Sequence, residues 1–135
     1  MVSFWDFLGI GSKRRSALQA FDGALTRLEV NPAYLDDGMR FLIYKWAEAA
    51  SGGADEASSR VDLHLSKAAE LISYCVLGPT ETEALWGAAV RQERQQRFDD
   101  ALAHGHAESF DVGIIKLVLA KGAASPEISA HATLD

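Results

Sequence analysis

Two histidines, His104 and His106, lie close together after a polar helical stretch, and imidazole is the side chain that most often binds metals in proteins. Asp100 lies four residues before His104, so on a helix these two side chains would share a face. Because a metal site needs at least a third ligand, His104, His106 and Asp100 form a candidate metal or small-ligand site. The alternative, a helix-ending loop with two solvated histidines, is favoured.

Three arginines, Arg91, Arg94 and Arg97, advance along one side of the same stretch in steps of three residues. Guanidinium groups bind carboxylates and phosphates through paired hydrogen bonds, so this series could bind an acidic partner, a phosphorylated peptide or RNA. Glu93 lies four residues before Arg97, which is the orientation that stabilises an exposed helix. A solvated helix face is therefore favoured over a binding surface.

The amino-terminal segment combines large apolar residues with positive charge. Phe4, Trp5, Phe7 and Leu8 precede a basic run at residues 13–15. Such a segment suits docking of aromatic side chains into a partner's groove, and it would also allow weak peripheral contact with a membrane. The favoured alternative is that the segment covers the open end of this protein's own helical core.

No serine or cysteine occurs with histidine and acid partners in a pattern typical of nucleophilic catalysis, and no glycine-rich nucleotide fingerprint is present. The single cysteine, Cys75, lies on an apolar helix face, which is typical of an inert core residue. These observations favour a protein that is not an enzyme, and they predict no cofactor.

The elements that must position these residues are helices, because apolar residues recur at three- and four-residue spacing and no convincing strand alternation occurs. Asn31-Pro32 predicts one helix start, and Gly78-Pro79 separates two further helices. The fifth helix has the broadest apolar surface, which predicts that it is the central helix. The predicted helices span about 12–29, 32–50, 55–77, 79–104 and 107–121.

These patterns predict an all-α fold, an irregular bundle of about five main helices in a single compact domain. The chain has 135 residues, of which 48% are hydrophobic, enough to bury a core without disulfides. We divide it into an aromatic amino-terminal segment (1–11), a helical domain (12–122) and a carboxy-terminal tail (123–135). A loose tail is expected, except for one short turn at Ser125-Pro126.

Charge and hydropathy narrow the function classes. The formal net charge of −6 disfavours general nucleic-acid binding, because the phosphate backbone attracts positive charge. No apolar run reaches the roughly 20 residues of a membrane span, and the basic run follows the first apolar stretch instead of preceding it, unlike a secretory signal. A cytoplasmic location is therefore expected.

The leading hypothesis is a small intracellular protein-interaction module, of the adaptor or regulatory type, that acts by binding. Its partner would be another protein, and a homodimer is one such arrangement. Two alternatives belong to other classes: a metal- or small-ligand-binding protein that uses His104 and His106, and a nucleic-acid-binding protein that uses the three arginines.

Overall fold

A computed structural model describes residues 12–52, 58–105 and 109–132 of the chain. Six α-helices and one 3₁₀ turn form within these residues, and no strand occurs among them. The prediction of an all-α bundle in a single domain is therefore confirmed. The helices are α1 (Ser12–Arg27), α2 (Asp37–Ala50), α3 (Ser58–Trp86), α4 (Ala88–His104), α5 (Phe110–Lys121) and α6 (Pro126–His131), and the 3₁₀ turn is Pro32–Tyr34.

The central helix is α3, which packs against α1, α2, α4, α5 and α6. It is also long, at 29 residues, so it offers different faces and levels to each neighbour. The prediction that the fifth helix is central is wrong. That helix corresponds to α5, and its broad apolar surface is buried because α2, α3 and α4 contact it from different sides.

Helix α3 bends at Gly78-Pro79, where Gly78 has φ +86° and ψ 169°. Proline has no N–H, so the carbonyl of Cys75 loses the donor that a continuous helix would place four residues later. The backbone N–H of Ser125 takes this role and donates to the Cys75 carbonyl at 2.9 Å. The bend in the central helix is thus satisfied by the segment that begins α6.

Helix α6 is held on this bend by side chains as well. The Ser125 hydroxyl accepts a hydrogen bond from the backbone N–H of Ile128 at 3.3 Å and so caps the helix. Thr80 donates to the Glu127 carboxylate at 2.9 Å, and the Ile128 side chain is fully buried. Residues 123–132 of the predicted tail therefore contain a short helix that packs on α3.

The second predicted helix is divided, because two capping residues follow each other closely. Asn31 caps the 3₁₀ turn, whereas Asp36 caps α2. Between them Leu35 is extended and buried. Arg40 stabilises this connection by donating to the carbonyls of Pro32 and Leu35 at 3.0 and 2.8 Å. The predicted helix is therefore interrupted at the point where Leu35 is buried.

The fourth predicted helix is interrupted at Gly87, which has φ +97°. Two helices therefore stand in place of the single helix predicted over residues 79–104. Because the break separates the two halves, Phe98 is buried while Leu85 remains 42% exposed. No helix of the described residues combines the length and the apolarity needed to cross a bilayer.

The close packing of α6 on the bend predicts that Gly78→Ala lowers the free energy of unfolding by about 1–3 kcal/mol more than Gly87→Ala. Both glycines have positive φ, so both alanines meet a similar backbone penalty. Only at Gly78 would the added Cβ lie 2.6 Å from the Ser125 hydroxyl oxygen, whereas nothing lies within 4 Å at Gly87. Urea denaturation followed by circular dichroism measures both values, and equal losses would contradict this packing.

Candidate functional site

A cleft of about 730 Å³, here called the head cleft, opens where α3, α4 and the start of α5 meet. Three residues singled out in the sequence, Arg97, Asp100 and His104, line it together. The structure therefore brings part of the arginine series and part of the histidine site to one place. The head cleft is also lined by His64, Lys67, Glu93, Ala101, Phe110 and Asp111.

Arg97 fixes the wall of the head cleft by bonding to two other helices. Its Nε and Nη2 donate to the two carboxylate oxygens of Asp111 at 3.0 and 2.8 Å. Its Nη1 donates to the backbone carbonyl of Lys67 at 2.7 Å. Such a paired guanidinium–carboxylate contact is geometrically specific, so Arg97 holds α4 at a defined position against α3 and α5.

The remaining arginines of the series also have acidic partners within the chain. Arg91 pairs with Glu83 at 3.3 Å. Arg94 is only 12% exposed in its side chain and lies 3.8 Å from Glu70, with its guanidinium 6.0 Å from the centre of the Trp86 ring. The polar middle of the predicted fourth helix thus contacts polar groups of its own protein, while binding of an outside partner by these arginines stays a prediction.

The histidine site is described only in part. His104 is the last residue of α4 and is exposed, and Asp100 accepts a hydrogen bond from Gln96 at 3.1 Å. His106 lies outside the described residues. Within the described ranges, no three histidine, cysteine, aspartate or glutamate side chains are grouped so that they could hold a metal ion. Metal binding by His104, His106 and Asp100 stays a prediction.

The floor of the head cleft is apolar and was not foreseen. Its main elements are the buried Ala101 and the half-buried Phe110, whose ring centre lies 5.6 Å from that of His64. Gly105 permits this close approach of α4 and α5, because an added Cβ would lie 2.5 Å from a methyl group of Val112. No sequence spacing indicates that His64 and Phe110 meet, since they belong to different helices.

The predicted docking residues Phe4, Trp5, Phe7 and Leu8 lie outside the described residues. Helix α1, which follows this segment in the chain, is described from Ser12 onward. Ala17 lies beside Leu65 of α3, and the Ser73 hydroxyl donates to the carbonyl of Leu28 at 2.8 Å. The helices α1 and α3 therefore run in the same direction, and α1 begins at the end of the bundle that carries His64.

A second site, here called the Tyr74 pocket, is a cavity of about 200 Å³ between α3, α4 and α6. Tyr74 is 2% exposed, and its ring centre lies 5.7 Å from that of Phe98. Burial, and then the nearby Asp99 carboxylate, raise the pKa of Tyr74 to about 12. Sequence reasoning missed this pocket because its residues come from three separate segments. Its lining is Tyr74, Pro79, Gln95, Phe98, Asp99, Ile128 and His131.

The prediction that Cys75 is a core residue agrees with its complete burial. This burial raises the pKa of the Cys75 thiol from 9.0 to about 12, with Arg97 acting in the opposite direction. A raised thiol pKa means that the unfolded chain loses this proton first. The associated stability is therefore present below about pH 9 and is lost as pH rises towards 12.

Above about pH 9, the free energy of unfolding of the native chain should therefore decrease with pH more steeply than that of Cys75→Ala. The difference between the two slopes should be up to about 1.4 kcal/mol per pH unit. Tyr74 titrates in both proteins, so the difference between them reports the thiol together with its effect on the pKa of Tyr74. Urea denaturation at a series of alkaline pH values measures the two slopes. Parallel slopes would show that the thiol ionises equally easily in the folded and unfolded chains.

Comparison of this chain with protein-family models, with curated proteins and with solved structures gives no match.

Proposed function

We propose that this protein is a small helical interaction module that acts by binding, and that its head cleft receives an aromatic and basic segment of a partner protein. The observation that carries this proposal is the open cleft of about 730 Å³ with an apolar floor and a charged rim. This volume lies within the range of about 300–1,000 Å³ that is typical of binding sites. An open cleft between helices suits side chains that a partner presents from outside.

The charges of the rim favour a basic partner. Arg97 and Asp111 neutralise each other through their paired hydrogen bonds. Of the remaining charged side chains, Glu93 and Asp100 on α4 are acidic, and Lys67 on α3 is basic. All three are exposed, so a partner meets two carboxylates and one ammonium group. Electrostatic complementarity of this kind mainly increases specificity and the rate of association.

The floor favours an aromatic partner. The tilted contact between His64 and Phe110 leaves a ring surface at the cleft, and aromatic side chains bury large areas in offset or edge-to-face contacts. The buried Ala101 adds a small residue, which leaves space above it for a large side chain. Aromatic anchors in such a depression commonly provide much of the affinity of an interface.

A second copy of this chain carries a segment with this chemistry, and we propose it as the partner. Phe4, Trp5, Phe7 and Leu8 supply aromatic and aliphatic side chains, and residues 13–15 supply three positive charges. Eleven residues precede α1 and span up to about 36 Å when extended, which is enough to reach a neighbouring molecule. Reciprocal docking of two copies gives a closed, symmetric dimer.

The position of α1 favours exchange between two copies over docking within one. Residues 13–15 belong to α1, which packs against α2 and α3, whereas the acidic rim belongs to α4, which packs against α3 and α5. Helix α1 lies against Asp62, Leu65 and Ser66 of α3, whereas Glu93 and Asp100 face the side of α3 that carries His64 and Lys67. The acidic partners that all three arginines have within the chain favour a protein ligand over a nucleic acid.

Light scattering coupled to size exclusion tests this proposal on the full chain. A dimer is expected, and Asp100→Lys should raise its dissociation constant at least about tenfold, because it replaces attraction to the basic run by repulsion. Asp99→Lys is the matched control, since it makes the same charge change on the next residue, which lines the Tyr74 pocket instead. Trp5→Ala should weaken the dimer as Asp100→Lys does.

Circular dichroism of each variant verifies that its fold is unchanged. A full chain that stays monomeric at every concentration would overturn the proposal of a second copy as partner. So would a dimer that Asp99→Lys and Asp100→Lys weaken equally, because the head cleft would then have no special part in association.

A further inference from the structure

The geometry points to the Tyr74 pocket as a binding site for a small organic cation, separate from the head cleft. The pocket of about 200 Å³ lies between α3, α4 and α6. An engineered cavity of about 150 Å³ in another protein holds one benzene molecule. The Tyr74 pocket is therefore large enough for a ligand with one six-membered ring and a short polar substituent.

The buried tyrosine brings a polar group to the pocket. Tyr74 is 2% exposed and lines the pocket. No hydrogen bond joins its hydroxyl to another described residue, and its oxygen is not among the fully enclosed atoms that lack a partner, so the oxygen is reached from the pocket that Tyr74 lines. A hydroxyl has two acceptor lone pairs, so a ligand in the pocket can donate a hydrogen bond to this oxygen.

The charges around the hydroxyl favour a cation. Asp99 lines the pocket, and its carboxylate and that of Glu127 both raise the pKa of Tyr74, after the larger effect of burial. Arg91 acts in the opposite direction, but its guanidinium is already paired with Glu83 at 3.3 Å. A positively charged group beside Asp99 would thus be attracted by the carboxylates and would compete little with Arg91.

The remaining lining suits the body of such a ligand. The rings of Tyr74 and Phe98 are tilted by 53° to each other, and aromatic faces attract cations. Buried Ile128 and half-buried Pro79 add apolar surface. Gln95 and His131 place further polar groups in the lining, so the pocket combines an apolar floor with a few polar groups, as small-ligand sites do.

The test uses benzylamine and benzyl alcohol, two probes of nearly the same shape of which only the first is charged at neutral pH. Binding to the full chain is measured by amide chemical shifts in NMR. Benzylamine should bind at least about tenfold more tightly, as expected for a charge-assisted hydrogen bond. The shifts should be largest around Tyr74, Phe98 and Ile128.

Two aspartates on the same helix supply a matched pair of variants. Asp99→Asn should make the affinities for benzylamine and benzyl alcohol nearly equal. Asp100→Asn makes the same change in the head cleft and should leave the preference for benzylamine unchanged. Tyr74→Phe should weaken the binding of benzylamine several-fold, because it removes the hydroxyl. The inference is overturned if neither probe shifts the pocket at about 10 mM, if both bind equally, or if Asp99→Asn and Asp100→Asn have the same effect.

Discussion

A missing hydrogen-bond donor at Pro79 determines how the carboxy-terminal part of this bundle is arranged. The Cys75 carbonyl, deep in the central helix, loses the donor that a residue other than proline would supply at position 79, and it accepts a hydrogen bond from the N–H of Ser125 at 2.9 Å. An unpaired carbonyl at this depth would cost about 1–3 kcal/mol, so α6 is fixed where it can donate. Gly78 allows the approach, because any side chain there would collide with Ser125. The Tyr74 pocket lies directly beside this junction, with Pro79 in its wall.

Helix α4 connects this junction to the opposite end of the molecule. It is clamped to α3 and α5 by Arg97, and it contributes one wall to each of the two sites. Adjacent residues of a helix point about 100° apart, and so Asp99 lines the Tyr74 pocket while Asp100 lines the head cleft. One rigid helix can thus present separate carboxylates to two ligands, and the two sites can be tested by neighbouring substitutions.

The features that the sequence predicted are those set by local chemistry. Helical periodicity, the capping residues and the breaks at Gly78-Pro79 and before Pro126 depend on residues close together in the chain, and each is present. The features that it could not predict depend on distant partners. Nothing near Arg97 indicates that Asp111 will accept its hydrogen bonds, and no spacing brings Tyr74 to α6. The prediction that the fifth helix is central was wrong, because the breadth of an apolar surface indicates how much of a helix is buried and does not indicate how many helices it contacts.

The arrangement of α3 and α6 depends on the Ser125 N–H, which donates to the carbonyl that Pro79 leaves without its helical donor. Native-state amide hydrogen exchange measured by NMR tests it directly. A residue that caps the start of a helix has no helical acceptor for its own N–H, so without the Cys75 carbonyl this amide would exchange like that of an unstructured chain. The Ser125 amide is expected to be protected as strongly as amides in the buried part of α3, such as that of Ile72, and to exchange only when the bundle unfolds. Exchange of Ser125 near the rate of an unstructured peptide, while Ile72 stays protected, would contradict it.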